Sequence, residues 1–99
     1  MILHIAAAEY LSDYKVALSF NNGRSGVVDL SDSLDQGVFQ PLQQISLFRQ
    51  LTLDAELQTI CWPNGVDLAP EYLYFKAFKD DPALRPQFEA WGYLEKVAA

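Results

Sequence analysis

The chain is poor in the residues on which most catalytic sites are built. It has one histidine, His4, and one cysteine, Cys61. A single cysteine excludes an internal disulfide and suits a reducing, cytoplasmic compartment. Cys61 lies in the apolar run Leu57-Gln58-Thr59-Ile60-Cys61-Trp62, where a buried, unreactive thiol is the expectation. His4 sits in an apolar run near the start and reads as a hydrogen-bonded structural side chain. General acid–base work needs a partner within reach, and the spacing indicates none. Nucleophile-elbow, phosphate-loop, dinucleotide and zinc-ligand patterns are all missing. The expectation is therefore no enzymatic activity, no cofactor and no metal.

Positive charge is scarce as well. Seven Lys and Arg face thirteen Asp and Glu, for a formal net charge of -6. The seven (Lys15, Arg24, Arg49, Lys76, Lys79, Arg85 and Lys96) are scattered rather than gathered in a stripe. Such a surface repels phosphate backbones and anionic lipid, so neither direct nucleic-acid binding nor membrane adhesion is expected. No apolar run approaches the roughly 20 residues of a membrane span, and the first residues lack the basic region of a signal peptide. Among the acids, Asp29, Asp32 and Asp35 are spaced by three, and Asp80 adjoins Asp81. Solvated loop acids and a helix cap account for them more simply than a bound cation.

Apolar and aromatic residues, in contrast, are plentiful, at 51% and 13% of the chain. Ninety-nine residues with that composition make one domain with a packed interior. Residues 2–8 read as a strand, and residues 10–13 as a turn. Tyr14, Val16, Leu18 and Phe20 then alternate with Lys15, Ala17 and Ser19, the period of a half-buried strand. Asn21-Asn22-Gly23 supplies a hairpin turn, with a longer connection through Arg24 equally open, and residues 25–30 form the return strand. Residues 31–36 are loop-like with room for one helical turn, and residues 37–41 break regular structure. Residues 41–44 admit another turn, and Ser46 caps a short helix over residues 46–50. A second hairpin pairs residues 51–54 with 57–62. Pro63-Asn64-Gly65 reverses the chain, and Pro70 and Glu71 open a helix, where a missing N–H costs nothing and a carboxylate complements the helix dipole. A last helix has Asp81 as cap and Pro82 at its first position. Leu84, Phe88, Trp91 and Leu94 or Glu95 lie along one face of it, and Gly92 breaks or ends it.

The string Trp62-Pro63-Asn64-Gly65-Val66-Asp67-Leu68-Ala69-Pro70-Glu71-Tyr72-Leu73-Tyr74 resembles the signature of the bacterial domain of unknown function 2442 family, W-x-N-G-x-D-L-x-P-E-x-L-Y. The earlier hairpin, with Gly23 and Val28-Asp29-Leu30, is similar to that family's as well. The resemblance covers residues 1–78 and implies a small α+β fold with a mixed sheet and no assigned activity. Some relatives carry an added helix-turn-helix DNA-binding part, and others are encoded beside a second small domain in pairs resembling toxin–antitoxin modules. Residues 79–99 have room for one helix only and are not basic, which departs from the DNA-binding relatives. Ala69 stands where a polar residue usually precedes the proline, so Asp67 is expected to cap the helix instead.

The fold expected is α+β, with a mixed or antiparallel sheet of four to five strands and two or three helices, mostly C-terminal. Residues 1–78 form the domain, and residues 79–99 an amphipathic helix on it or at an interface. Trp62, Pro63, Asn64, Gly65, Asp67, Pro70, Glu71 and Tyr74 are the motif residues, read as structural. Leu84, Phe88, Trp91 and Tyr93 are the candidate interaction face, because a domain this small has little room to bury them all. The function expected is a protein-interaction or regulatory module that binds a protein partner or itself as a homodimer. The alternatives are an antitoxin-like partner of a neighbouring small protein, or a ligand binder or enzyme using the region from Trp62 to Glu71.

Overall fold

The alternation of Val16, Leu18 and Phe20 with Lys15, Ala17 and Ser19 gives a strand one buried and one open face. The computed structural model, which describes residues 2–94, forms it as β2 (Lys15–Phe20), between β1 (Ile5–Ser12) and β3 (Ser25–Asp29). The three make an antiparallel sheet of order β1-β2-β3. Val16, Leu18, Phe20 and Val28 are buried on its inner face. β1 continues through residues 10–12, where a turn was expected. Its partner β2 supplies pairs for it, Tyr10 with Val16 and Ser12 with Lys15, and the reversal falls at Asp13, with φ 48°. The β2–β3 connection includes Arg24, whose carbonyl accepts from the Phe20 N–H at 2.8 Å.

The second hairpin joins β4 (Thr52–Asp54) to β5 (Thr59–Cys61). Asp54 Oδ1 accepts from the N–H groups of Glu56 and Leu57 at 2.8 and 2.9 Å and so forms its turn. The five strands therefore form two sheets, and every pairing is antiparallel rather than mixed. A bond from the Ile5 N–H to the Gln58 carbonyl, at 2.9 Å, ties the two sheets together.

Between the sheets run 3₁₀ turns at Ser31–Ser33 and Gly37–Gln43, then α1 (Ile45–Phe48). The segment around Pro41 is thus more regular than its Gly and Pro imply. Gln44, not Ser46, precedes α1, and Ser46 lies within it, its carbonyl accepting from Gln50 Nε2 at 2.8 Å. The helix turns Phe48 fully into the core.

Next come α2 (Pro70–Phe78), with Pro70 in its first turn, and α3 (Arg85–Trp91), preceded by a 3₁₀ turn at Pro82–Leu84. Leu73 and Tyr74 carry α2 onto the inner face of the sheet. Gly26 permits the approach, because a Cβ there would lie 3.2 Å from the Phe78 ring. Asp81 Oδ1 accepts from the Ala83 N–H at 3.0 Å, and so starts the last helical segment as expected. Gly92, at φ 86°, ends α3, and the Tyr93 N–H closes back on the Phe88 carbonyl at 3.0 Å. Glu95, the alternative last position of the apolar face, lies outside the described residues. Antiparallel sheets with mostly C-terminal helices make this an α+β protein. Among the described residues no helix is long and apolar enough to cross a membrane.

Candidate functional site

The motif begins as a clasp. The Trp62 N–H donates to the Val66 carbonyl, and the Gly65 N–H to the Trp62 carbonyl, both at 2.9 Å. Gly65 has φ 86°, a value side chains rarely adopt. Asn64 Oδ1 accepts from the Val66 N–H at 3.3 Å. The Trp62 ring is buried against Phe48, and its Nε1 donates to the Phe48 carbonyl at 2.8 Å. Pro63 is exposed at the tip of the turn.

Asp67 corrects the expected cap. Its backbone bridges Cys61, its side chain is exposed, and Ala69 stands at the helix start without a side-chain cap. With Asn64, Gly65 and Val66 it borders an open recess of about 550 Å³ walled by Val38, Phe39 and Pro41. Glu71 lies elsewhere, so the region from Trp62 to Glu71 does not form a single cleft.

Glu71 and Tyr74 are three residues apart on α2 and face the same way. On α3, Gln87 and Trp91 are four apart and face them. Asn22, in the β2–β3 turn, and Ile2 and Leu3, held beside that turn by Asn21, complete the lining. These residues line a cleft of about 480 Å³. Asn22 Nδ2 donates to the Tyr74 hydroxyl at 3.2 Å, and so orients the phenol. The Tyr74 and Trp91 rings meet edge to face, 6.2 Å between centroids. Glu71 is half-buried, and its charge joins burial in pushing the Tyr93 phenol above its ordinary value, burial contributing most.

The expected interaction face on α3 is largely turned inward. Phe88 is 0% exposed and packs on Phe75 at 5.2 Å. Tyr93 stacks on Phe75 at 5.1 Å and 16°. Leu84 is half-buried against the core. Trp91 alone of the four lines the cleft. The reason is geometric: α2 offers Tyr72, Tyr74 and Phe75 as a surface on which these aromatics pack.

His4, Cys61 and the acids Asp29, Asp32 and Asp81 are not among the residues that line the cleft. His4 Nδ1 is 3.4 Å from Asn21 Nδ2, and the His4 N–H donates to Asn21 Oδ1 at 3.0 Å, a structural arrangement. Cys61 is half-buried rather than buried, with Sγ 3.6 Å from Thr52 Oγ1. Asp29 accepts from the Ser31 N–H, and Asp32 pairs with Lys76 Nζ at 2.7 Å. Asp81 is more than a solvated cap, because it also pairs with Arg24 Nη2 at 2.9 Å.

Residues 5–79 match the family described as "Protein of unknown function (DUF2442)". The chain belongs to this family. The DUF2442 match takes in both hairpins and the whole motif to Tyr74, and ends before α3. The cleft is thus built across that limit, with Asn22, Glu71 and Tyr74 inside the match and Gln87 and Trp91 beyond it. No similar curated protein and no similar solved structure is found. Asn22, Gln87, Ile2 and Leu3 carry no signal as site residues in the sequence. The packing of α3 on α2 brings Gln87 to the cleft, and the Asn21 side chain, donating to the Ile2 carbonyl, holds the first residues beside the Asn22 turn.

Proposed function

We propose that this chain is a non-catalytic interaction module that takes a cationic side chain of a basic protein partner into the cleft between α2 and α3. The observation that carries this reading is that Glu71 and the partly exposed Trp91 ring line the same cleft. A carboxylate and aromatic faces together attract an ammonium or guanidinium group. Among the described residues, Arg24, Lys76 and Arg85 are matched to Asp81, Asp32 and Glu89, and Glu71 has no ion-pair partner. The net charge of -6 steers a basic partner toward the chain. Among the described residues the cleft lining contains no serine, cysteine or histidine, which favours binding over nucleophilic or general-base chemistry. An antitoxin-like regulator that masks a basic neighbouring protein is one form of this reading.

The test is a titration with lysine- and arginine-containing peptides followed by tryptophan fluorescence. The expected outcome is saturable quenching of Trp91, lost on lysine acetylation and weakened about tenfold in E71Q, the effect of about 1.4 kcal/mol. Binding that is equal in E71Q, or equal for acetylated peptide, refutes the reading.

A further inference from the structure

β3 is the last strand of its sheet, and the ladder that holds it shows which way its backbone points. At one end the Phe20 N–H donates to the Arg24 carbonyl, and at the other the Leu30 N–H donates to the Tyr14 carbonyl. In an antiparallel pair the bonded residues alternate. The even-numbered residues therefore bond to β2, and the N–H and C=O groups of Ser25, Val27 and Asp29 point away from it. Their side chains share the open face of the sheet, and Val27 is 53% exposed there. α2 covers the opposite face at Gly26.

Exposed edges in soluble proteins are usually blunted by proline, lysine, a bulge or a covering segment. β1 is protected in this way: its register shifts near both ends, and the Ile5 N–H is held by Gln58. β3 has no proline or lysine, and it pairs with β2 without a register shift.

We propose that a second copy of this chain pairs with β3 edge to edge, antiparallel, about a twofold axis at Val27. This is the register that pairs all five residues. It sets Val27 against Val27 of the second copy, and Ser25 against its Asp29. Each outward N–H and C=O of Ser25, Val27 and Asp29 then finds a partner, and a serine hydroxyl meets each carboxylate. The two Asp29 carboxylates lie at opposite ends of the junction, each beside the Lys15 that faces it across β2. That self-complementarity selects a second copy over an acidic peptide, whose carboxylates gain nothing along this edge. The junction joins two three-stranded sheets into one of six. A five-residue edge buries less than the roughly 1,200–2,000 Å² of a stable interface, so the association is reversible. It uses none of the cleft residues and stands independently of the cationic reading.

Sedimentation of the full chain over a range of concentrations, at about 0.15 M salt to screen the net charge, reads the monomer–dimer equilibrium. The expected result is a concentration-dependent dimer. V27K and V27E each place like charges directly opposite on the axis, and each weakens self-association about tenfold or more. Mixing the two variants restores dimer, because lysine then faces glutamate. Amide exchange on the unmodified chain supplies a readout without mutation. The Ser25, Val27 and Asp29 amides slow as concentration rises, and those of Gly26 and Val28, already bonded to β2, do not change. A monomer up to about 1 mM, the weak end of the affinity scale, overturns the proposal. So does a dimer indifferent to V27K, or a mixture of V27K and V27E that fails to pair.

Discussion

Trp62 links the motif to the helix before the second hairpin. Its ring lies 5.6 Å from that of Phe48, its Nε1–H reaches the Phe48 carbonyl, and its backbone closes the clasp with Gly65 and Val66. It therefore ties α1 to the turn that leads into α2. W62F keeps an aromatic ring but leaves a small cavity and gives up the indole bond. The Phe48 carbonyl retains the Leu51 N–H at 3.3 Å, so no buried acceptor is orphaned. The expected loss is about 2–3 kcal/mol of unfolding free energy, measured by urea titration. The variant should remain folded, with emission from the half-exposed Trp91 alone. The burial of Trp62 follows from its place at the end of an apolar strand. Its bond to a carbonyl fourteen residues earlier follows from no spacing, since it depends on where the 3₁₀ segment delivers Phe48. Asp67 shows the converse. Its distance from Pro70 suits a cap, but the bridge to Cys61 extends the backbone there and leaves the carboxylate outside.

At the scale of elements, two glycines act as stops. Gly65 reverses the chain after β5, and Gly92 ends α3, both at φ 86°. A Cβ built at either meets nothing within 4 Å, so substitution adds backbone strain without a clash. G65A and G92A should each cost about 1 kcal/mol, read as a lower urea midpoint with an unchanged slope. A much larger loss would show that the turn holds more than its own conformation. Stops and hairpins of this kind were legible because they depend on local chemistry: glycine at positive φ, proline at a helix start, Asp81 before Pro82. β1 was less legible past Ala8. Its outer face is open, its alternation is weak, and β2 determines its length. The candidate site was legible only in part. Glu71, Tyr74 and Trp91 stand out singly, but the cleft exists because α3 folds back onto the aromatics of α2. The same packing hides Phe88, which a helical stripe alone presents as surface.

Over the whole molecule, the scattered charges act as ties between elements distant in sequence. Arg24 in the β2–β3 connection pairs with Asp81 ahead of α3, and its guanidinium lies 4.4 Å over the Phe78 ring. Lys76 of α2 pairs with Asp32 in the turn after β3. The hydrogen bond from Arg24 holds the Asp81 carboxyl below the ordinary carboxylate range, and that from Lys76 does the same for Asp32. Asp29 is lowered chiefly by the Ser31 backbone N–H. A carboxyl depressed in the folded state contributes its stabilisation fully above its unfolded value of about 3.9, and loses it as pH falls through the lower folded value. The melting temperature should therefore hold steady from neutral pH down to about 5 and fall below about 4. D32N and D81N should each lower the neutral plateau slightly and make the acid fall shallower, because the unfolded chain then takes up one proton fewer in excess of the folded one. Asp32 and Arg24 keep one side of each pair in contact with solvent, which screens it, so the change in slope should be clearer than the change at neutrality. If both variants melt in parallel with the parent at every pH, these ties do not stabilise the fold, and the acid limit lies with other carboxylates.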